Sequence, residues 1–299
     1  MLQTENKIGI NEKTGLFLLI AFMGAGLLVG SSISLLSWKL MGGKGLADMQ
    51  IALASPSHIN FIRFTQTVLA ACIFFFPSVA VAWLVGKKPF TYIGFTKRID
   101  FKTIGWGLLL MSVTIVLSGA LATLNEMIPL TDSLKIYFKS MEDAYLGQVD
   151  LMSKMSGIPD LLFSLIIMAF APAVFEEVFF RGGFQNMMFR ATGKIWPSIL
   201  VTSLLFSAIH FSFYGFLSRI ALSMVLGLLY VHTQSIWIAI LAHFLNNALG
   251  VFQIYFLRMK GLPLSSVEDD KYPLWWGLLA ITALVFLFRY FKKSMDGIR

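Results

Sequence analysis

The sequence predicts an all-α membrane protein, a polytopic bundle of about eight transmembrane helices. Of its 299 residues, 57% are hydrophobic and 13% are charged, and the mean hydropathy is +0.75. Soluble globular domains are less apolar and carry about 25% charged residues. The apolar runs reach the roughly 17 to 25 residues that a membrane-spanning helix needs, and they lack the period-2 alternation of barrel strands.

Eight apolar segments are predicted as membrane spans. The first follows Lys7 and Lys13, but its run exceeds a signal-peptide core and has no clear cleavage site, so we expect it to be retained. The sixth is the weakest candidate because it is short and contains Arg219. In chain order the predicted spans are Thr14 to Trp38, Phe64 to Val85, Ile104 to Leu124, Pro159 to Gly182, Pro197 to Phe213, Phe216 to Val231, Ser235 to Phe256 and Leu274 to Phe291.

The distribution of Lys and Arg predicts the orientation of these spans. The loop from Lys87 to Lys102 holds five basic residues and one acidic residue, so the positive-inside rule places it in the cytoplasm. With an even number of spans, both termini are then cytoplasmic too, and we expect the plasma (inner) membrane. We interpret the net charge of +8 as the excess of Lys and Arg on the cytoplasmic side of the membrane. We expect no nucleic-acid partner, because no basic cluster is interleaved with exposed aromatic residues.

Polar residues divide the chain into three regions. We expect an N-terminal membrane region of three spans with a polar linker (residues 1–157), a membrane core that holds every polar cluster (158–257), and a final loop with the last span (258–299). The single cysteine, Cys72, lies in an apolar stretch, which excludes an intrachain disulfide and a cysteine-ligated metal cluster. The sequence also lacks the inverted repeat of broken helices that many transporters show.

Two adjacent acids, Glu176 and Glu177, lie in the apolar run between Leu161 and Phe184, and Arg181 follows one turn later. Ionisable groups inside a bilayer cost several kcal/mol unless they are paired or face a wet cavity. On one helix Glu177 and Arg181 are spaced i,i+4 and can pair, whereas Glu176 points about 100° away and can face a different neighbour. One acid can therefore be structural and the other reactive.

Two further predicted spans carry polar pairs at the same helical spacing. Phe206 and His210 share a face of the fifth span, and His243 and Asn247 share a face of the seventh. Asn246 points about 100° from Asn247 and is left out of the predicted site.

The depths of the charged and histidine side chains in the membrane are compatible with one another. If the fourth span leaves the bilayer near Gly182 to Phe184, the stretch FQNMMFRATGKIW is interfacial. Glu176, His210 and His243 then each lie about eight residues, or ~12 Å, inside the membrane. We expect all three to face one cavity that opens toward the cytoplasm.

Three motifs thus follow one another on three spans. In order they read Glu176-Glu177-x-x-x-Arg181, Phe206-x-x-x-His210 and His243-x-x-x-Asn247. This order resembles the CPBP family of intramembrane proteases, which includes the type II CAAX prenyl proteases and many bacterial immunity-type (Abi) members. The resemblance covers roughly residues 158 to 252, and it implies hydrolysis of a peptide bond within the membrane.

The resemblance also implies roles for the motif residues. Glu176 and His210 would position and deprotonate a water, while His243 and Asn247 would stabilise the oxyanion. Glu177 completes the predicted catalytic set and would hold the scaffold with its partner. The predicted structural supports are Arg181 and Phe206.

The sequence leaves open whether a metal takes part. Glu176, His210 and His243 would form a site for zinc or another divalent metal with two nitrogen ligands, one oxygen ligand and an open fourth position, and Glu177 could then be the base. The chain has no HExxH spacing that would decide the question.

The expected function is that of an intramembrane endopeptidase, and its metal dependence stays open. Its partners would be the lipid bilayer and a membrane-associated or lipidated protein or peptide, cleaved near the cytoplasmic face. Two alternatives remain: a proton-coupled transporter, which would use the same acids and histidines as a relay, and a catalytically silent membrane scaffold of the same family.

Overall fold

The computed structural model describes residues 9–86, 88–96, 99–264 and 272–296, and the regular structure within these ranges is helical. The predicted all-α fold class is therefore confirmed. Seven of the described helices are long and apolar enough to cross a membrane, and a further apolar helix is shorter. The helices are α1 (Glu12–Leu40), α2 (Leu46–Leu53), α3 (Pro56–Val85), α4 (Pro89–Ile93), α5 (Phe101–Glu126), α6 (Asp132–Met152), α7 (Ile158–Thr192), α8 (Ile195–Ala208), α9 (Phe216–Thr233), α10 (Ile236–Met259) and α11 (Leu274–Asp296).

The fifth predicted span is the short one, not the sixth. The sixth forms the full 18-residue helix α9, whereas α8 has 14 residues and ends at Ala208. The prediction that Phe206 and His210 share one helical face is therefore wrong, because His210 lies in the loop after α8. The chain leaves the helix there through a left-handed residue, Phe211, with φ of 50°.

The fourth predicted span is longer than expected. Helix α7 runs for 35 residues and contains two π-helical stretches, Leu165–Phe170 and Val178–Gln185. Residues 184–192 of the stretch expected at the interface continue this helix, and residues 177–187 are all buried within the protein. Burial is possible because its polar side chains find backbone acceptors: Gln185 donates to the Gly227 carbonyl and Asn186 to the Tyr92 carbonyl.

Glu176 and His210 are equally far along the chain from the turn between α7 and α8, and their depth in the membrane stays a prediction. Helices α7 and α8 are joined by a tight turn at Gly193. Glu176 lies 17 residues before this glycine and His210 lies 17 residues after it. At 1.5 Å per helical residue, both residues are on the order of 25 Å from the turn.

Helix α1 packs against α3 through small residues. A Cβ added at Gly26 would lie 1.9 Å from the backbone oxygen of Cys72, and Gly30 also approaches α3 closely. Small residues at such spacing allow helix backbones to approach in a membrane. The cysteine is buried at this contact, with 7% of its surface exposed.

Among the described residues, the two largest of four apolar clusters meet at α10. Ile236 and Ile240 belong to the cluster formed with α1, α3 and α7, while Ile238 and Ala242 belong to the cluster formed with α5, α9 and α11. Side chains on α10 can therefore meet groups from both halves of the bundle. The division of the chain at residues 157 and 257 stays a prediction.

The two ends of α5 define two faces of the bundle. Its first residues follow the basic loop, and we call this end the basic-loop face; its last residues lead into the linker (residues 127–157), and we call that end the linker face. The 26 residues of α5 span about 39 Å, more than the roughly 30 Å hydrocarbon core. The predicted cytoplasmic side rests partly on Lys87, Lys97 and Arg98, which lie outside the described residues, as do both termini.

Candidate active site

Glu177 is the buried centre of the site. Its Oε1 accepts one hydrogen bond of 2.8 Å from Nη1 of Arg181 and another of 2.8 Å from Nδ1 of His243. The predicted Glu177–Arg181 pair is thus confirmed, and neither side chain has exposed surface. Nη2 of Arg181 also donates to the backbone oxygen and hydroxyl of Ser223 on α9. One carboxylate and its arginine therefore tie α7, α9 and α10 together.

The bond to Glu177 orients the His243 ring. A carboxylate paired with arginine only accepts hydrogen bonds, so the proton shared with it belongs to Nδ1 of His243. The other ring nitrogen, Nε2, lies 3.9 Å from Oε2 of Glu176. That separation is too long for a direct hydrogen bond, and a bridging water spans such gaps.

Glu176 and Glu177 have different surroundings, as the helical geometry predicts. The Glu177 side chain is fully buried, while 15% of the Glu176 side chain is exposed. Both acids nevertheless approach the same imidazole from their adjacent positions on α7. His243 therefore links the structural carboxylate to the more accessible one.

His210 is held by the helix end that precedes it. Its Nδ1 lies 2.7 Å from the Phe206 carbonyl oxygen, which can only accept, so Nδ1 carries the proton and Nε2 of the neutral ring has a free lone pair. The Phe206 ring stands between the two histidines, with centroids 4.9 Å from His210 and 5.8 Å from His243. The Arg181 guanidinium lies 5.1 Å from the same ring.

The loop that carries His210 is tied to neighbouring helices. Asn125, fully buried at the end of α5, donates to the Phe213 carbonyl at 2.8 Å and accepts from the Leu217 amide. Ser212 donates to Glu142 of α6 at 2.7 Å, and Phe213 stacks on Phe138 of the same helix. These contacts hold the loop in its non-helical path.

Several site residues border one cavity of about 290 Å³. Of the predicted catalytic residues, His210, His243 and Asn247 line it. Glu176 is not among the lining residues, and it reaches them through its 3.9 Å approach to His243. Glu177 does not line the cavity either, and it contacts Nδ1 of the His243 ring.

Among the cavity-lining residues that the sequence did not predict, Asn246 and Arg219 have the most direct bearing on the site. Asn246 lines the cavity and donates through Nδ2 to Oδ1 of Asn247 at 3.1 Å, although its position on the helix led to its omission. Arg219 also lines the cavity. In the sequence, the Arg219 charge served only as a reason to call the sixth span the weakest candidate. An ionisable residue inside an apolar segment is, however, also typical of a functional site.

The cavity lies toward the linker face. It is bordered by Ser118 in the second half of α5, by Tyr145 of α6 and by Gly215 in the loop after α8. The basic loop lies at the opposite end of α5. The side of the membrane on which the basic loop lies and the direction in which the cavity opens both stay predictions.

The predicted metal ligands have suitable nitrogen atoms but are not close enough together to hold a metal. Both histidines use Nδ1 for other bonds and keep Nε2 free, as metal-ligating histidines commonly do. Within the described ranges, however, no group of three or more His, Cys, Asp and Glu side chains is close enough to hold a metal ion. The set of Glu176, His210 and His243 does not fit a metal in this arrangement, and zinc stays a prediction.

Known proteins resemble the part of the chain that carries this site. Residues 158–249 match the family described as type II CAAX prenyl endopeptidase Rce1-like. "Uncharacterized protein YpbD" of Bacillus subtilis (strain 168) is 34% identical over 107 residues, which are 34% of this chain and 50% of that protein. The chain thus matches about half the length of this curated relative, and no solved structure matches it. The resemblance indicated by the three motifs is confirmed, and residues 158–249 of this integral membrane protein match the Rce1-like family.

Proposed function

We propose that the protein is an intramembrane endopeptidase that hydrolyses a peptide bond in a membrane-associated or lipidated peptide or protein. The observation that carries this proposal is the convergence of His210, His243 and Asn247 on one cavity, with Glu176 3.9 Å from His243, inside the Rce1-like region. Groups of this kind, close together and partly buried, are suited to general base catalysis.

In the proposed reaction, one water bridges Glu176 and His243. A water about 2.8 Å from both Oε2 and Nε2 fits their separation. Glu176 accepts a proton as the water oxygen bonds to the substrate carbonyl carbon. This proton then passes to the leaving nitrogen as the C–N bond breaks, so the carboxylate is regenerated. Because a water donates only two hydrogen bonds, Nε2 of His210 is the alternative to Nε2 of His243 as the acceptor of its second hydrogen.

Asn247 is the proposed donor to the oxyanion. Asn246 donates to its Oδ1, so the amide is turned with Nδ2 as the free donor end; that nitrogen has only a long contact of 3.5 Å with the Ala169 carbonyl. A donor aimed at developing negative charge acts strongly where water is excluded. His243, the second predicted donor, can take this role only when Nε2 carries a proton as well as Nδ1.

The site of cleavage follows from the cavity. We keep the cytoplasmic assignment of the basic loop and the plasma membrane, because five basic residues in one short loop are a strong topology signal. Cleavage then takes place at the linker face, on the opposite side of the membrane. The proposed partners remain a membrane-associated peptide or protein and the lipid bilayer, without nucleic acid.

A cleavage assay in liposomes tests the proposed function. Wild-type protein and the single variants Glu176→Gln, His210→Ala and His243→Ala are incubated with a library of apolar membrane peptides, and the products are identified by mass spectrometry. We expect cleavage by the wild type and a loss of at least 10²-fold in each variant.

His58→Ala is the matched control. His58 lies at the start of α3, away from the cavity, and its replacement should leave cleavage unchanged. Equal cleavage by wild type and the Glu176→Gln variant would overturn the proposal. Proton-driven flux without any cleavage would instead favour the transporter alternative.

A further inference from the structure

Arg219 places a permanent positive charge on the wall of the cavity. It lies in the first turn of α9, inside a helix apolar enough to span the membrane. Its Nη1 donates to the Ser212 carbonyl at 3.3 Å, and its guanidinium lies 5.7 Å from the Tyr145 ring. These contacts use one of the five N–H donors of the side chain.

Two other arginines of the bundle have acidic partners, whereas the buried Arg63 donates to the backbone oxygens of Met152 and Lys154 and to the Ser164 hydroxyl. Arg181 is paired with Glu177, and Arg258 is paired with Asp150. In the part of the chain that the structure describes, no carboxylate forms an ion pair with Arg219. A charge in a membrane segment that lines a cavity without a counter-ion marks a ligand or ion site.

The remaining wall of the cavity also favours an anion. No Asp or Glu is among its lining residues, whereas hydroxyl and amide donors are present at Ser118, Ser218, Asn246 and Asn247. The cavity therefore combines one fixed cation with neutral donors. Charge-assisted hydrogen bonds from arginine to a carboxylate are stronger than neutral ones and fix its orientation.

The guanidinium also has a fixed position at the junction of two cavities. It rests against Gly215, where an added Cβ would lie 2.5 Å from Nη1. Gly215 and Tyr145 line both the catalytic cavity and an adjoining, larger cavity of about 540 Å³. Arg219 contacts both shared residues, so a peptide that extends through both spaces would lie close to it.

We propose that Arg219 determines substrate specificity by binding a carboxylate of the substrate close to the scissile bond. This inference rests on the proposed peptidase function. The planar oxygen pair of a carboxylate matches the guanidinium in a bidentate arrangement. A free C-terminus and an Asp or Glu side chain both supply this group, and the test separates the two sources.

A merely structural role has a different signature. If Arg219 only holds the loop through the Ser212 carbonyl, Arg219→Gln retains an N–H donor and changes cleavage of every peptide alike. If Arg219 binds a substrate carboxylate, the same variant lowers cleavage more for peptides that carry a carboxylate than for those that do not. The ratio of cleavage between matched peptides separates these roles.

The test compares three pools of apolar ten-residue peptides: C-terminal acids, C-terminal amides, and amides with one internal Asp. For wild type we expect kcat/KM to be about tenfold to hundredfold higher for one carboxylate-bearing pool than for the plain amides. Preference for the first pool identifies the C-terminus, and preference for the third identifies a side chain. Arg219→Gln should abolish the preference, so that the ratio of kcat/KM between the carboxylate-bearing and amide pools falls to about one, and Arg219→Lys should retain part of it.

Arg258→Gln is the matched control, because this arginine is paired with Asp150 and does not line the catalytic cavity. Its replacement should leave the ratio unchanged. A preference that persists in Arg219→Gln, or no preference in wild type, would overturn the inference.

A binding measurement keeps this test separate from the proposed function. The same pools are equilibrated with the Glu176→Gln variant and with Glu176→Gln/Arg219→Gln, and retained peptides are counted by mass spectrometry. We expect selective retention of carboxylate peptides by the first variant alone. If wild type cleaves nothing but this selectivity depends on Arg219, the peptidase proposal fails and the anion site stands; equal retention by both variants overturns the anion site.

Discussion

At the scale of single residues, Glu177 shows how one buried carboxylate can serve two partners. Its Oε1 accepts from both Arg181 and His243, while its Oε2 has no hydrogen-bond partner in the described structure. The i,i+4 spacing made the arginine contact predictable. The histidine contact was not, since it joins residues 66 positions apart and depends on how α7 and α10 pack.

Removing Arg181 alone should be strongly destabilising. Arg181→Met leaves the Glu177 charge buried without its main partner, and we expect a loss of about 3–5 kcal/mol of unfolding free energy. The double variant Arg181→Met/Glu177→Leu removes both charges and should recover part of that loss. Denaturation in detergent measures both, and a double variant less stable than Arg181→Met would contradict this account.

Asn246 should act as a positioning residue. Asn246→Ala removes the donor that orients the Asn247 amide, so we expect kcat to fall by roughly tenfold with little change in KM. The fold should remain intact, because Asn246 is only partly buried. Steady-state kinetics of the purified variant test this, and an effect on KM alone would argue against an oxyanion role for its neighbour.

Chelation of divalent metals should leave cleavage unchanged. This expectation follows from the ligand geometry, in which Glu176 and His243 approach each other but no group of three suitable side chains is close enough for a metal among the described residues. Activity is measured before and after exhaustive dialysis against a chelator. A loss that zinc restores would establish the metal-dependent alternative.

At the scale of helices, hydropathy predicted which segments are spans but not where each ends. Helix α8 stops early because Asn125 and Glu142, distant in the chain, hold the following loop out of the helix. Helix α7 continues past Gly182 because the protein provides backbone acceptors for Gln185 and Asn186. Such partners depend on tertiary packing and leave no local signal in the sequence.

The contact between α1 and α3 should not tolerate a methyl group at Gly26. In Gly26→Ala the new Cβ would meet the Cys72 backbone oxygen, which cannot move without shifting the helix, so we expect a loss of about 1–3 kcal/mol. Gly24→Ala is the matched control, since nothing lies within 4 Å of its Cβ position. Thermal unfolding of both variants in detergent checks this, and equal stability would refute the close packing.

At the scale of the whole molecule, the sequence predicted the fold class and the set of site residues more readily than the direction in which the cavity opens. Spans follow from composition, and motifs follow from spacing along one helix. The direction in which the cavity opens depends on α6, which covers the linker face and contributes Tyr145. An amphipathic linker helix can lie against either end of a bundle. The distribution of Lys and Arg alone did not predict which end α6 would cover.

Thiol labelling should report the proposed orientation of the bundle. Lys135→Cys at the linker face and Lys102→Cys at the basic-loop face are both at exposed positions. A membrane-impermeant maleimide added to intact cells should label the first and not the second. The native Cys72 is buried and gives a low background. The reverse pattern would invert the orientation and place cleavage in the cytoplasm.

The attachment of the His210 loop to α6 has a consequence for activity. Ser212 is bonded to Glu142, and Phe213 is stacked on Phe138, so the cover of the cavity and the loop bearing a reactive imidazole are joined. A displacement of α6 would therefore shift that imidazole as well. We expect changes that detach α6 from this loop to lower activity, because the position of His210 depends on the contact.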